Sequence, residues 1–532
     1  MTPEMIATDR VARQVATPTP ADLTSMPATV LAALIARGEV SASEAVDAHI
    51  ERIEQVNPQL NAVVLKRYDT ARAEARAADT LRARGMALGP LHGLPVTVKE
   101  TLDLAGFPSS FGIESRAETA AECDERHVAR LRQAGAIVLG KTNMAQMLLF
   151  LESDNPVYGR TNNPWNPDRS SGGSSGGEAA MIAAGGSALG LGSDIGGSLR
   201  VPATFCGIAS LKPTAGRCPD MGRFSVPLGQ QAIVSQVGVL ARTTDDVALG
   251  MKVIDNGSDI PLGDPASVDV SRLRVAYYTD DGRFAVAPAV ARAVREAAAS
   301  LRDRGAQVIE WTPPDIGATL DLVFQIFSAD GGRYFNTALG RTKRDVRVAT
   351  LALLGGRSHR TTATLSRLLA ALGQRQLASV VRNFGYSDTA HYWECVEAQL
   401  AYRQRFADAL DQAEGGPLDV ILSPACALPA FTHGASQDLG TAGSYTVLYN
   451  ALGYPAGVVP FTRVRLGEEV GRAPSRDRVE EVARRVEQGS AGLPVGVQVA
   501  ARPWRDHVAL AAMRAIEQAA LARPDFPATP LV

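Results

Sequence analysis

Cysteine and histidine are scarce in this chain, at 5 and 7 of 532 residues. Cys123, Cys206, Cys218, Cys395 and Cys426 are odd in number, far apart and without a Cys-x-x-Cys pair. That excludes a disulfide framework and a zinc knuckle, and it fits buried packing positions in a reducing compartment. No His/Cys/Asp cluster has ligand spacing, so neither a metal nor another cofactor is implied. Charge of either sign is not in excess: 54 Lys and Arg against 56 Asp and Glu leave a net charge of −2. The basic excess of a nucleic-acid partner is therefore missing. Long hydrophobic runs are also missing, since no stretch approaches the roughly 18 apolar residues of a membrane span. The first twenty residues carry Asp9, Arg10 and Arg13 where a secretory signal would have an apolar core. The expectation is a cytoplasmic protein with no membrane span.

Length alone suggests three or four domains, but an open α/β sheet with insertions holds as many residues in one unit. Ser41-Ala42-Ser43-Glu44 has capping-box spacing, and Val46, His49, Ile50 and Ile53 follow at helical spacing. His49 lies on that apolar face and reads as a core or boundary histidine. Beyond residue 60, short apolar strands alternate with helices. Leu94 to Val98 (LPVTV) ends at Lys99, a helical stretch Glu125–Gln133 leads to Ile137–Leu139, and ALGLG precedes Asp194. Leu273–Tyr278, a helix from Pro288 to about Arg304, and Val308–Trp311 repeat the rhythm, with strands at Asp419–Leu422 and Val495–Val499. This alternation predicts an α/β fold, a twisted, mixed and mostly parallel sheet with helices on both faces. Residues 315–415 are helical in pattern and read as an insertion shaping the substrate entrance. The charged stretch 464–490 reads as a solvated surface excursion.

One segment breaks the rhythm. Ser170 to Gly177 reads SSGGSSGG, and Asp194 to Arg200 reads DIGGSLR. A Gly/Ser-rich loop by itself is usually a linker, but this one lies between ordered patterns. It is not a phosphate loop, because no Gly-Lys-Ser/Thr follows. Backbone brought close to a reacting group is the remaining reading. A serine hydroxyl attacks only when a base takes its proton, and the oxyanion needs preorganised donors. The backbone N–H groups of Ile195, Gly196, Gly197 and Ser198 are candidates, with Ser198 at the start of a helix whose dipole favours an anion. No histidine falls in either serine motif, which turns attention to lysine. A buried lysine loses its proton more readily, and Lys99 ends an apolar strand, although most lone lysines are solvated surface charges.

The Lys99 strand, the GGSSGG loop and DIGGSLRVPA, in that order, resemble the amidase-signature enzymes. The resemblance spans residues 22–522, leaving 1–21 as an N-terminal extension and 523–532 as a tail. It implies Ser198 as the nucleophile, Lys99 as the base, and Ser174, through a cis peptide bond, as the bridge between them. Asp194, Arg200 and Ser175 then fall to orienting the loops rather than to chemistry. Within the family the chain most resembles the fatty acid amide hydrolase branch, through SDNPVYGRTNNPWNPDRSSGGSSGGE, PLGQQAIVSQVGVLAR, SYTVLYNALGYPAGVVPFTRV and GLPVGVQVAARPW. Glu178 after the glycine loop is typical of that branch. Met147, Leu148, Leu149 and Phe150 would flank its acyl channel, or simply pack in the core. The membrane-bound animal enzymes of the branch carry an N-terminal spanning helix that is not read here. The implied substrate is therefore a small-molecule linear amide, with esters and carbamates open as well. Homodimers are common among the proteins resembled.

Three rivals stand beside this reading. Gly172-Gly173-Ser174-Ser175-Gly176 satisfies G-x-S-x-G, so an α/β-hydrolase esterase could use Ser174 with His391, His433 or His507. That mechanism needs a strand before the serine, where turn-rich NNPWNPDRSSGG stands. The glutamine-hydrolysing component of an amidotransferase shares the catalytic motifs. A binding protein that has lost catalysis is the third, and the intact set of residues argues against it.

Overall fold

Every residue from Pro95 to Lys99 is buried, which an apolar run achieves only in a strand covered on both faces. The computed structural model describes residues 18–220, 229–255, 259–528 and 530. Most of the expected N-terminal extension, the start of the PLGQQA stretch and the last residues of the tail lie outside the described residues. The described strands β1 (Val63–Lys66), β2 (Pro95–Lys99), β3 (Ile137–Thr142), β4 (Leu189–Asp194), β5 (Ala209–Lys212), β6 (Gln236–Ala241), β7 (Arg274–Tyr277), β8 (Gln307–Glu310), β9 (Val420–Pro424), β10 (Ala456–Arg463) and β11 (Pro494–Ala501) form one 11-stranded sheet. Its order is β1-β3-β2-β4-β6-β5-β10-β11-β9-β7-β8.

The sheet is mixed, as expected, but its parallel pairs are confined to two regions. They are β3-β2-β4 on one side and β9-β7-β8 on the other. The remaining six pairings, those of β1 with β3 and across the centre, are antiparallel. The βαβ rhythm in the sequence accounts for the parallel groups. It does not reveal β1, β5, β6 and β10, which pair antiparallel outside any βαβ unit.

Local signals hold where they are strong. Helix α1 (Ala42–Leu60) carries the capping box, with Glu44 N–H donating to Ser41 Oγ (3.0 Å) and Ser41 N–H to Glu44 Oε2 (2.8 Å). His49 is buried on it and bonds the Ala45 carbonyl through Nδ1 at 2.8 Å. Burial pushes its pKa down to about 4, so it is a neutral core histidine. Cys206, Cys218, Cys395 and Cys426 are buried packing residues as expected, whereas Cys123 is exposed.

Helices α2 (Gly176–Ala183) and α3 (Arg200–Cys206) follow the two serine loops. Between β8 and β9 the chain forms α4 (Ile316–Ser328), α5 (Arg333–Leu339), α6 (Val346–Gly355), α7 (His359–Ala371), α8 (Arg375–Val381) and α9 (Thr389–Asp411). In the charged excursion, α10 (Arg478–Glu487) buries Val479, Ala483 and Val486. No helix among the described residues is long and apolar enough to cross a membrane.

Candidate active site

Lys99, at the C-terminal end of β2, and Ser193 and Asp194, at the end of the neighbouring parallel strand β4, meet where side chains leave a parallel sheet edge. This is the usual position for a site in such sheets. Lys99 is fully buried, and its Nζ donates to Ser174 Oγ at 2.7 Å and to Ser193 Oγ at 3.2 Å. Burial pulls its pKa down to about 7, despite the opposing pull of Asp220, Asp194, Glu178 and Glu100. At neutral pH about half of such lysines are free bases.

The glycine loop reaches the site by close backbone approach. A Cβ on Gly173 would lie 2.5 Å from the Phe150 carbonyl oxygen and the Glu152 nitrogen, so a side chain there would force the loop away. The Gly173–Ser174 peptide is cis. Ser175 N–H donates to the Ser198 carbonyl (3.2 Å) and its Oγ to the Ser193 carbonyl (3.4 Å), tying the two serine loops together. Ser153 Oγ bonds both the Ser174 carbonyl (3.3 Å) and the Gly176 N–H (2.8 Å).

The second loop is built on Asp194. Its carboxylate accepts from Gly197 N–H (2.8 Å), Leu199 N–H (3.1 Å) and Asn450 Nδ2 (3.0 Å), and pairs with Arg200 at 2.9 and 3.0 Å. Burial alone would raise its pKa, but the Arg200 guanidinium and these donors hold it far below the carboxylate range. Arg200 is itself wholly buried and bonds the Thr446 carbonyl, Gln498 Oε1 and Asn450 Oδ1. The Gly197 amide is thus already committed to Asp194. Of the four expected oxyanion donors, Ile195, Gly196 and Ser198 remain. Gly197, at φ 119°, has room for no Cβ, which would meet Thr446 Oγ1 at 2.2 Å. A Cβ on Gly196 would meet nothing nearer than 3.9 Å, so sterics require glycine at only one of the two positions.

Ser198 is 7% exposed and opens with Ser174, Ser193, Ile195 and Gly196 onto a cavity of about 620 Å³. Met147, Leu148, Leu149 and Phe150 line it. They also pack with Phe111, Ile113, Leu339 and Val348. Other walls come from α4, α5, α6, α8 and α9, through Phe324, Phe327, Phe335, Leu351, Val380 and Tyr392 among others. Among the described residues no histidine lines it. His433 bonds the Pro167 carbonyl, His391 faces Glu394 and Cys395, and the His507 ring stands against Gly263, so none of the three histidines is placed to serve Ser174 as the G-x-S-x-G reading requires.

Sequence reasoning missed Ser193, Asn450, Gln498 and the pocket of Glu178. Glu178, fully buried, accepts from Thr142 Oγ1 (2.6 Å) and from Thr97 Oγ1, two residues before Lys99 on β2. Burial raises its pKa to about 7. Ser193 directly precedes the recognised motif and was the one partner a strand-register argument could have found. Among the described residues no group of His, Cys, Asp and Glu could hold a metal.

A buried lysine, two serines on crossing loops and free amides beside an apolar cavity define a serine-hydrolase type of site. Comparison with known proteins agrees. The Amidase family model matches residues 44–510, and the chain belongs to this amidase-signature family of amide-hydrolysing enzymes. It is 32% identical over 504 residues to fatty acid amide hydrolase 1 of Caenorhabditis elegans, covering 90% of this chain and 86% of that one. It is also 32% identical over 481 residues to a glutamyl-tRNA(Gln) amidotransferase component from a Synechococcus strain, covering 85% and 94%. A solved fatty acid amide hydrolase structure superposes with a TM-score of 0.82 at 28% identity, covering 94% of this chain and 86% of that one.

Proposed function

We propose that the enzyme hydrolyses linear amides with an apolar acyl group through an acyl-enzyme on Ser198. The observation that carries this is the buried Lys99 amine 2.7 Å from Ser174 Oγ, at the edge of an apolar cavity that Ser198 also lines. Ser198 Oγ attacks the carbonyl carbon, its proton passes to Ser174 Oγ, and the Ser174 proton passes to neutral Lys99. The amides of Ile195, Gly196 and Ser198 receive the oxyanion. As the C–N bond breaks, Lys99 returns the proton through Ser174 to the leaving nitrogen. Water then attacks the acyl ester, its proton passing through Ser174 to Lys99 and from there back to Ser198 Oγ as the ester bond breaks and the acid leaves. The same steps serve esters and carbamates.

Glutamine hydrolysis with ammonia transfer is the second reading, supported by the likeness to the amidotransferase component. The aromatic and aliphatic walls favour the first, because a glutamine side chain would bury its polar groups against them at a cost. The test is hydrolysis of a long-chain amide, a short aryl amide, an aryl ester, an aryl carbamate and glutamine by wild type, Ser198→Ala and Lys99→Ala. Long-chain amide turnover that disappears with Ser198→Ala and falls by about 10²–10⁴ with Lys99→Ala is expected. Glutamine as the preferred substrate, or full activity in both variants, defeats the proposal.

A further inference from the structure

Arg347 stands in the first turn of α6, far from Lys99 in sequence, and it is buried at 4% exposure. Its guanidinium meets three carboxylates. It donates to Asp345 at 2.6 and 2.7 Å and to Asp154 Oδ2 at 3.0 Å, and lies 3.3 Å from Glu152 Oε2. It also stands over the Phe150 ring, 5.7 Å from the centroid.

Phe150, Glu152 and Asp154 belong to one segment, whereas Asp345 caps α6 itself. Phe150 lines the cavity beside Met147. Glu152, itself buried, accepts from the backbone N–H groups of Gly434 (2.9 Å) and Ser436 (2.7 Å), and Ser436 lines the cavity too. Helix α6 supplies Val348 and Leu351. A second tie runs alongside: Gln146 Oε1 accepts from Asp345 N–H (2.7 Å), and its Nε2 donates to the Lys343 carbonyl (2.9 Å). One guanidinium therefore balances three carboxylates and joins three segments of cavity wall.

We propose that Arg347 is a positioning residue that holds α6 against the 147–154 segment and so sets the site's preference for long over short apolar acyl groups. The proposal rests on the reading of the cavity as the acyl site. Without the guanidinium, Glu152, Asp154 and Asp345 repel one another and the buried Glu152 keeps only two backbone N–H donors and no counter-charge. The wall between α6 and Met147–Phe150 then parts. A two-carbon acyl group fills a small part of a cavity of about 620 Å³, whereas a long chain must use most of its walls. Losing contact with about two methylenes corresponds to roughly a tenfold loss of affinity.

The experiment compares kcat/KM for decanoyl and acetyl anilides in wild type, Arg347→Met and Arg347→Lys, per site titrated with a serine-reactive probe. The expected result is a decanoyl-to-acetyl preference that falls about tenfold in Arg347→Met, through KM, and is partly recovered in Arg347→Lys. An equal fall for both substrates, or none, overturns the proposal. Decanoate binding by Ser198→Ala and by Ser198→Ala/Arg347→Met, followed by calorimetry, separates this inference from the proposed function. Binding about tenfold weaker in the double variant supports it even if wild type hydrolyses neither anilide. Equal binding, or no binding to either, sinks it.

Discussion

Lys99 Nζ lies 2.7 Å from Ser174 Oγ, and the lysine is fully buried behind that serine, which stands at the cavity wall. Ser198 retains slight access to the cavity. The proton path proposed for this enzyme therefore runs inward, from a hydroxyl that meets substrate to an amine that water does not reach. An ammonium is disfavoured there by the loss of its hydration. The carboxylates of Asp220, Asp194, Glu178 and Glu100 limit how far its pKa falls. The result is a base poised near neutrality, where general-base catalysis is most effective.

The pH profile follows from that balance. Lys99 works as a base only when neutral, so kcat/KM rises with pH through a midpoint of about 7 and levels off above it. A solvated lysine would be neutral in roughly one molecule in 3,000 at pH 7. Steady-state rates between pH 5 and 10 on an amide check this. A limb that keeps rising beyond pH 9 would show that Lys99 is not held neutral.

The same shift costs stability. The folded pKa, about 7, lies below the ordinary lysine value of 10.5. Between those values the unfolded chain binds more protons than the folded one, so this group's penalty is largest below pH 7 and fades towards pH 10.5. Lys99→Met conserves volume and removes the penalty, against the loss of the Ser174 and Ser193 contacts. It should stabilise the fold by roughly 1–3 kcal/mol near pH 6.5, less as pH rises. Scanning calorimetry at pH 6.5 and 9.5 reads the difference, and a lower melting temperature at pH 6.5 contradicts it.

Glu178 tests the electrostatic part alone. It makes no direct bond to Lys99 among those described, and acts on it through space. Glu178→Gln keeps a carbonyl acceptor for one of the two threonine hydroxyls and removes the negative charge that the carboxyl gains through its pKa of about 7 and that favours the ammonium. The acid limb of the profile should move to lower pH. An unmoved or raised midpoint would remove Glu178 from the tuning of Lys99.

Asp194→Asn leaves the Arg200 guanidinium buried without its counter-charge. Breaking a buried pair in this way costs about 3–5 kcal/mol, and the Gly197 and Leu199 amides lose a charged acceptor as well. A lower denaturation midpoint is expected together with slower labelling of Ser198 by a fluorophosphonate. Asp194→Asn/Arg200→Gln should regain part of the stability and little of the labelling rate. Full recovery of both would mean that Asp194 serves the fold only.

The features legible in residue order alone are local and chemical. The GGSSGG and DIGGS segments, the apolar strand ending in Lys99 and the α1 capping box are each contiguous, and steric and hydrogen-bonding rules act over a few residues. The order and spacing of the serine and lysine motifs were enough to point to the family. Tertiary structure decided what depends on distant neighbours. Asn450 and Gln498 reach Arg200 from 250 and 298 positions along the chain. Strands β5, β6 and β10 take their places by long-range pairing, which periodicity does not encode. Arg347 is one of many arginines in a helical stretch until folding sets it among three carboxylates. Burial makes the last decision: the same lysine is an ordinary surface cation in water and a base only where the fold withholds water from it.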